Sequence, residues 1–196
     1  MTVAPDPERL ARAVAALEAA AAGANPILDE AEEEAKVAVR ERALGLLDQR
    51  ARSRAELRRR LQDKDFDADV IDSVLDDLAG AGLIDDAAFA REWVRQRATR
   101  RGKSRRMLDH ELERKGVGAG ERAAALDQID PEDERERALT LARKKARSVR
   151  EAPADRRERD KALRRIVGVL ARRGFPEGMS LALARQALDE RLEELD

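Results

Sequence analysis

Cysteine and tyrosine are missing from this 196-residue chain; histidine and tryptophan occur once each and phenylalanine three times. Without thiols there is no disulfide, no zinc–thiolate site and no cysteine nucleophile. His110 has no second imidazole or thiolate with which to share a metal ion, so it reads as an exposed surface residue. No apolar stretch approaches the roughly 20 residues needed to cross a bilayer. The N-terminus lacks a basic start followed by an apolar core, so no secretory signal is read. A soluble cytoplasmic protein without a metal or cofactor is the expectation. Large side chains are scarce too: residues of hydrophobic type make up 42%, but aromatics only 2%. The remainder is mostly Ala, Leu and Val, each burying little area at roughly 25 cal/mol per Å². Single helices should therefore depend on their neighbours. Ala, Leu, Arg and Glu are strong helix formers, which points to an all-α fold.

Residues 1–35 carry Pro5, Pro7 and Pro26, an alanine block from Ala19 to Ala22, and acids clustered at Asp29, Glu30, Glu32, Glu33 and Glu34. This composition reads as an acidic, largely disordered extension. From Lys36 helical periodicity is continuous. A first helix is predicted over 36–50 with Val39, Ala43, Leu46 and Leu47 on one stripe. Ser53 and Glu56 form a capping box for a second helix carrying Leu57 and Leu61. Phe66 closes the next turn, and Asp67 caps a third helix with Val70, Ile71, Val74, Leu75 and Leu78, ended by Gly80 and Gly82. The scheme then recurs. Asp85 or Asp86 starts a helix with Phe89, Trp93 and Val94, Gly102 breaks it, and Ser104 opens the helix of Leu108 and Leu112. A third round begins at Pro131, passes a loop at Pro153, and continues through Ile166 and Leu170 to Gly174, Phe175 and a last helix.

Leu57, Leu61 and Phe66 share their spacing with Leu108, Leu112 and Val117, and again with Ile166, Leu170 and Phe175. These residues, with Phe89 and Trp93, are the expected core. Three tandem three-helix repeats, 36–84, 85–130 and 131–196, describe the pattern most economically, since stacked units bury what single ones cannot.

Charge follows the repeat although the net formal charge is only −1. Residues 95–106 hold seven basic residues and no acid, whereas 63–86 hold nine aspartates against Lys64. Basic residues crowd the middle helices of all three repeats. The candidates for a binding face are Arg58, Arg59, Arg60, Arg95, Arg97, Arg100, Arg101, Lys103, Arg105, Arg106, Lys144, Lys145, Arg164, Arg165, Arg172 and Arg173. Three readings stand side by side: helix faces paired to acids at i, i+4, a non-specific nucleic-acid contact, and a protein surface. No aromatic residue lies in the basic runs to stack on bases.

Enzymatic readings find little support. Gly102-Lys103-Ser104 mimics the end of a phosphate-binding loop, but such a loop needs glycine where Arg97 stands and a preceding strand. Asp76-Asp77 and Asp85-Asp86 are adjacent on helices, where neighbouring side chains diverge. No nucleophile–base arrangement is visible, and no catalytic residue is expected.

The run Leu83-Ile84-Asp85-Asp86, Phe89-Ala90 and Trp93, followed by Gly102, Leu108, Glu111, Leu112, Lys115 and Gly116, resembles the RecX family of bacterial recombination regulators. Ala43-Leu44, Leu47, Arg52-Ser53, Glu56-Leu57 and Leu61 resemble that family's first repeat. The resemblance spans residues 38–190 and is most specific over 43–117. It implies a crescent-like array of helical repeats that binds the groove of the RecA–DNA filament. There it would restrain ATP hydrolysis and strand exchange in recombination, DNA repair and the SOS response. On that reading the chain is a monomer, and the basic residues above face RecA or DNA. The competing reading is a helical-repeat protein that binds DNA through its basic face independently of RecA.

Overall fold

The computed structural model describes residues 26–195, with side chains from residue 33 onward. Residues 1–25 of the expected N-terminal extension lie outside the described residues. Among those described there are nine α-helices and no strand: α1 Pro26–Gln49, α2 Arg54–Gln62, α3 Ala68–Gly80, α4 Asp86–Arg101, α5 Arg105–Arg114, α6 Ala119–Leu126, α7 Pro131–Ala146, α8 Arg156–Ala171 and α9 Glu177–Glu193. The all-α, three-helix-repeat expectation is borne out. One boundary differs: α1 starts at Pro26, ten residues before the predicted Lys36. Proline suits a first helical turn, where its missing N–H has no intrahelical partner to lose.

The caps lie where short polar residues precede apolar periodicity. Ser53 Oγ accepts from the Glu56 amide at 3.1 Å while Glu56 Oε2 accepts from the Ser53 amide at 3.5 Å. Asp67, Asp85, Ser104, Asp130 and Asp155 cap α3, α4, α5, α7 and α8 through their side chains. Each such cap is worth about 1 kcal/mol.

Two compact units divide the chain. The first comprises the described residues up to Arg50 together with Leu57–Ala81. Its core is Val39, Ala43 and Leu46 of α1, Leu57 and Leu61 of α2, and Ile71, Val74, Leu75 and Leu78 of α3. The second comprises Ala51–Glu56 and the described residues from Gly82 onward. It holds two apolar clusters. Phe89, Ala90, Val94, Leu108, Leu112, Val117, Leu126 and Ile129 join α4, α5 and α6, with Trp93 only half-buried at the edge. Ala138, Ala142 and Ala146 of α7 meet Ile166 and Leu170 of α8 and Leu183, Ala184, Ala187 and Leu188 of α9. The alanine faces of α7 and α9 let the two backbones approach closely. Of the expected core residues, Phe66 and Trp93 are half-buried rather than enclosed.

Within the second unit the same corner is built twice. After α5 the chain turns through Gly116 (φ 74°), and after α8 through Gly174 (φ 85°). Each glycine presses on the start of the preceding middle helix. A Cβ on Gly116 would collide with Ala55 Cβ, and one on Gly174 would lie 2.6 Å from Met107 Cβ and 2.8 Å from Ser104 Oγ. Ser53 Oγ donates to the Lys115 carbonyl at 2.5 Å, and the Ser104 amide donates to the Arg173 carbonyl at 3.0 Å. The next amide in each case meets a carboxylate of the following helix: Arg54 N–H to Asp86 at 2.8 Å, Arg105 N–H to Glu134 at 2.7 Å. Burial pushes the Asp86 carboxyl above the usual range, more than the Arg54 amide pulls it down. The corresponding corner after α2 uses Asp65 (φ 60°), which is exposed and so has room for a side chain.

Arg143 of α7 forks onto Glu190 of α9 at 2.7 and 2.8 Å. The guanidinium, aided by Gln186, draws the Glu190 carboxyl down to about 2. An ordinary glutamate titrates near ~4.3, so the pair stabilises the fold above that value and its contribution is lost as pH falls toward about 2. Both side chains are partly exposed, so solvent screening keeps the effect small.

Two outcomes are expected. Gly116→Ala and Gly174→Ala each lose about 2–4 kcal/mol in urea titrations, combining left-handed strain with overpacking. Gly82→Ala has the same sign of φ but open space around it, and loses only about 1 kcal/mol. Second, Glu190→Gln lowers stability near neutrality but not near pH 2, so its acid titration is shallower than that of the unmodified chain.

Candidate partner-binding surface

The basic run from Arg95 to Arg106 divides into residues spent on the fold and residues left to solvent. Arg95 forks onto Glu92 of its own helix at 2.8 and 2.7 Å, and with Gln96 holds that carboxylate below its usual range. Arg97 turns inward, its guanidinium carbon 3.3 Å from the centroid of the Trp93 ring. Lys115 approaches the same ring at 4.1 Å and pairs with Glu56 at 2.7 Å. Glu111 of α5, 8% exposed, is the anion on which this cluster converges. It accepts from Trp93 Nε1 at 3.0 Å and pairs with Lys103 and with Arg97, the latter at 3.4 Å. Cations on an indole face contribute about 0.5–2 kcal/mol each. Gly102 adopts φ 55° as the C-cap of α4, and Ser104 caps α5. The glycine-lysine-serine triplet is thus a helix break and restart with its lysine engaged by Glu111.

Other candidates are engaged as well. Arg105 donates to the Leu126 carbonyl at 2.7 Å and pairs with Asp127 at 2.8 Å, closing α5 against the end of α6. Arg173 donates to the Arg101 carbonyl at the end of α4. In the first unit Arg58 forks onto Asp72 of α3 at 2.8 and 2.9 Å. Arg59 and Arg60 are exposed beside it, and Lys145 is half-buried on α7. His110 is exposed next to Glu113. Among the described residues no group of three or more His, Asp or Glu side chains could hold a metal ion, and no helix is long and apolar enough to cross a membrane.

Arg100, Arg101, Arg106, Lys144, Arg164, Arg165 and Arg172 remain exposed. The fold brings three of them together. Arg100 and Arg101, ending α4, and Lys144 of α7 line a cleft of about 490 Å³ that also takes in Arg137, Arg173 and Thr140, with Leu141 on its wall and Asp133 and Glu136 on the α7 side. Five cations against two carboxylates make this cleft an anion-attracting surface. Arg137 is not among the residues that the sequence alone singles out. It sits in an acid-rich first half of α7, and its i, i+7 relation to Lys144 is the signal that could have found it. Arg106 lies away from this cleft, beside a more apolar groove lined by Ala119, Ala123, Leu126, Pro176 and Met179. Arg164, Arg165 and Arg172 lie on the outer side of α8.

Comparison with known proteins places this geometry in a family. Residues 40–78 match the family model described as RecX, first three-helix domain, and residues 85–126 match RecX, second three-helix domain. A protein of Corynebacterium efficiens named Regulatory protein RecX is 65% identical over 172 residues, covering 88% of this chain and 82% of the relative. Regulatory protein RecX of Streptomyces coelicolor is 40% identical over 78% of this chain and 79% of its own length. Among solved structures, one titled crystal structure of regulatory protein RecX has a TM-score of 0.67 at 26% identity, covering 82% of this chain and 76% of that one. RecX from Lactobacillus salivarius has a TM-score of 0.68 at 23% identity over 81% of this chain and 99% of that one, a likeness of fold.

Glu111→Ala strands Lys103 and Arg97, each largely withdrawn from water, and is expected to cost about 3–5 kcal/mol in chemical denaturation. Trp93→Phe removes only the indole donor and is expected to cost about 1–2 kcal/mol.

Proposed function

The chain belongs to the RecX family, and from that premise we propose that it is a non-catalytic modulator, chiefly an inhibitor, of the RecA recombinase. In this reading it binds the groove of the RecA–DNA filament and restrains ATP hydrolysis and strand exchange during recombination and DNA repair. The observation that carries it is the 65% identity to a protein named Regulatory protein RecX across 82% of that relative. The physical features agree. Three repeats, which we bound at 36–84, 85–130 and 131–196, offer successive surfaces to a filament that is itself repetitive. Weak contacts along one chain then act as a multivalent set.

The residues assigned to this contact are the exposed cations of the cleft: Arg100, Arg101 and Lys144. Arg97, Lys103, Arg105 and Arg173 stay with the fold, because their charges already have partners inside the protein. Long-range attraction toward a polyanionic filament would speed encounter, and salt would weaken it.

A folded Arg100→Glu, Arg101→Glu, Lys144→Glu variant is expected to need at least tenfold more protein to halve RecA ATPase on single-stranded DNA, with an unchanged circular dichroism spectrum. Undiminished inhibition by that variant would remove the cleft from the contact. Absence of inhibition by the unmodified chain would overturn the function itself, and binding that needs DNA but not RecA would favour the RecA-independent reading.

A further inference from the structure

Helix α8 has two faces of opposite character. Ala162, Ile166 and Leu170, four residues apart, are buried in the core shared with α7 and α9. At about 100° per residue, Arg157, Lys161, Arg164, Arg165 and Arg172 fall in a sector roughly 100° wide on the opposite side. All five are exposed, and none has a carboxylate within ion-pair distance among the described residues. Outside this sector α8 also carries Arg156, Glu158, Arg159 and Asp160, of which two are engaged elsewhere. Glu158 accepts from the Ala154 amide at 3.0 Å, and Arg159 pairs with Asp189 of α9 at 2.5 Å. The sole other residue in the sector is Gly168, where an added Cβ would lie 3.3 Å from Arg172 Nη1. Glycine is the poorest helix former after proline. Here its missing side chain gives the Arg172 guanidinium room to lie over the backbone in the middle of the basic stripe.

The stripe runs for about 22 Å at the helical rise of ~1.5 Å per residue. One strand of duplex DNA advances a phosphate per ~3.4 Å of helix axis, so a stripe of this length is long enough to meet several phosphates. A protein partner would be expected to meet aromatic or aliphatic anchors at the centre of its contact, and the sector has none. It also lacks the amides and aromatic rings that read or stack on bases. We propose that the outer face of α8 is a track for the phosphodiester backbone of a nucleic-acid strand, bound without regard to sequence. The assignment deepens the reading of a DNA-bearing partner and rests on it for its biological setting, but its test needs no RecA.

The test compares two triple variants of the full chain that lose equal charge. Arg157→Gln, Lys161→Gln, Arg164→Gln removes three of the five cations of the stripe; Arg135→Gln, Arg156→Gln, Arg185→Gln removes exposed cations outside it in the second unit. Fluorescence anisotropy with a labelled oligothymidylate and with a labelled duplex, across a salt series, gives affinity and its salt slope. The stripe variant is expected to bind at least tenfold more weakly. Its slope of log affinity against log salt should be shallower by about 2 on the single strand, because each phosphate that the protein ceases to neutralise takes ~0.7 from the slope. The second variant should change little. Equal loss in both variants would reduce the effect to net charge and overturn the track. Unchanged DNA affinity of a folded stripe variant would overturn it too, and if RecA ATPase inhibition were then lost, the stripe would face protein instead. Loss of DNA binding with inhibition retained would support the track and leave the RecA contact to the cleft.

Discussion

A left-handed residue without a side chain, pressed against the first turn of the preceding middle helix, is the constraint on which the second unit depends. Gly116 against Ala55 and Gly174 against Met107 leave no room for a Cβ. The same corners align a serine with a terminal carbonyl, Ser53 with Lys115 and Ser104 with Arg173. Once those atoms meet, the next amide falls opposite Asp86 or Glu134. Steric fit and hydrogen bonding thus reinforce one another at both corners. Buried polar groups that lose such a partner bear a desolvation penalty of about 1–3 kcal/mol, so the corners favour one register over slipped alternatives.

That geometry reassigns the basic residues. A cation run that looks like one binding surface in one dimension is divided in three, with Arg97, Lys103 and Arg105 tied to other helices and Arg95, Arg100, Arg101 and Arg106 left exposed. Glu111, nearly enclosed, gathers Trp93, Lys103 and Arg97 because an isolated buried carboxylate would be costly without them. Arg105 and Arg173 bond carbonyls at the ends of α6 and α4, where unsatisfied acceptors favour positive charge. The cations proposed for a partner are those of the cleft, Arg100, Arg101 and Lys144, and those of the outer face of α8. These two surfaces differ in chemistry. The cleft mixes charges of both signs with an apolar wall, whereas the outer sector of α8 presents cations alone.

Much of the fold is legible in local order. Ser53 with Glu56, Asp67, Ser104 and Pro131 mark helix starts because capping is settled within four residues. Leu57 and Leu61, Leu108 and Leu112, and Ile166 and Leu170 mark buried stripes because helical spacing puts them on one face. The recurrence of those pairs ahead of Phe66, Val117 and Phe175 also carries the repeat and the family resemblance. Phe66 and Trp93 are harder to place: an aromatic side chain at a corner can fill a core or lie across its edge, and both are half-buried here.

Helix positions, caps, breaks and the threefold recurrence were therefore determined by the sequence alone, since each follows from interactions between residues a turn or two apart. Which cations stay free was decided by tertiary structure. Lys103 and Arg95 lie eight residues apart in one basic run, yet one meets a buried carboxylate on the next helix and the other an exposed carboxylate on its own. Arg101 and Lys144, 43 positions apart, share a cleft. An ion pair depends on distances of a few ångströms between atoms on different helices, and only the packed cores and the two glycine corners bring those helices into register.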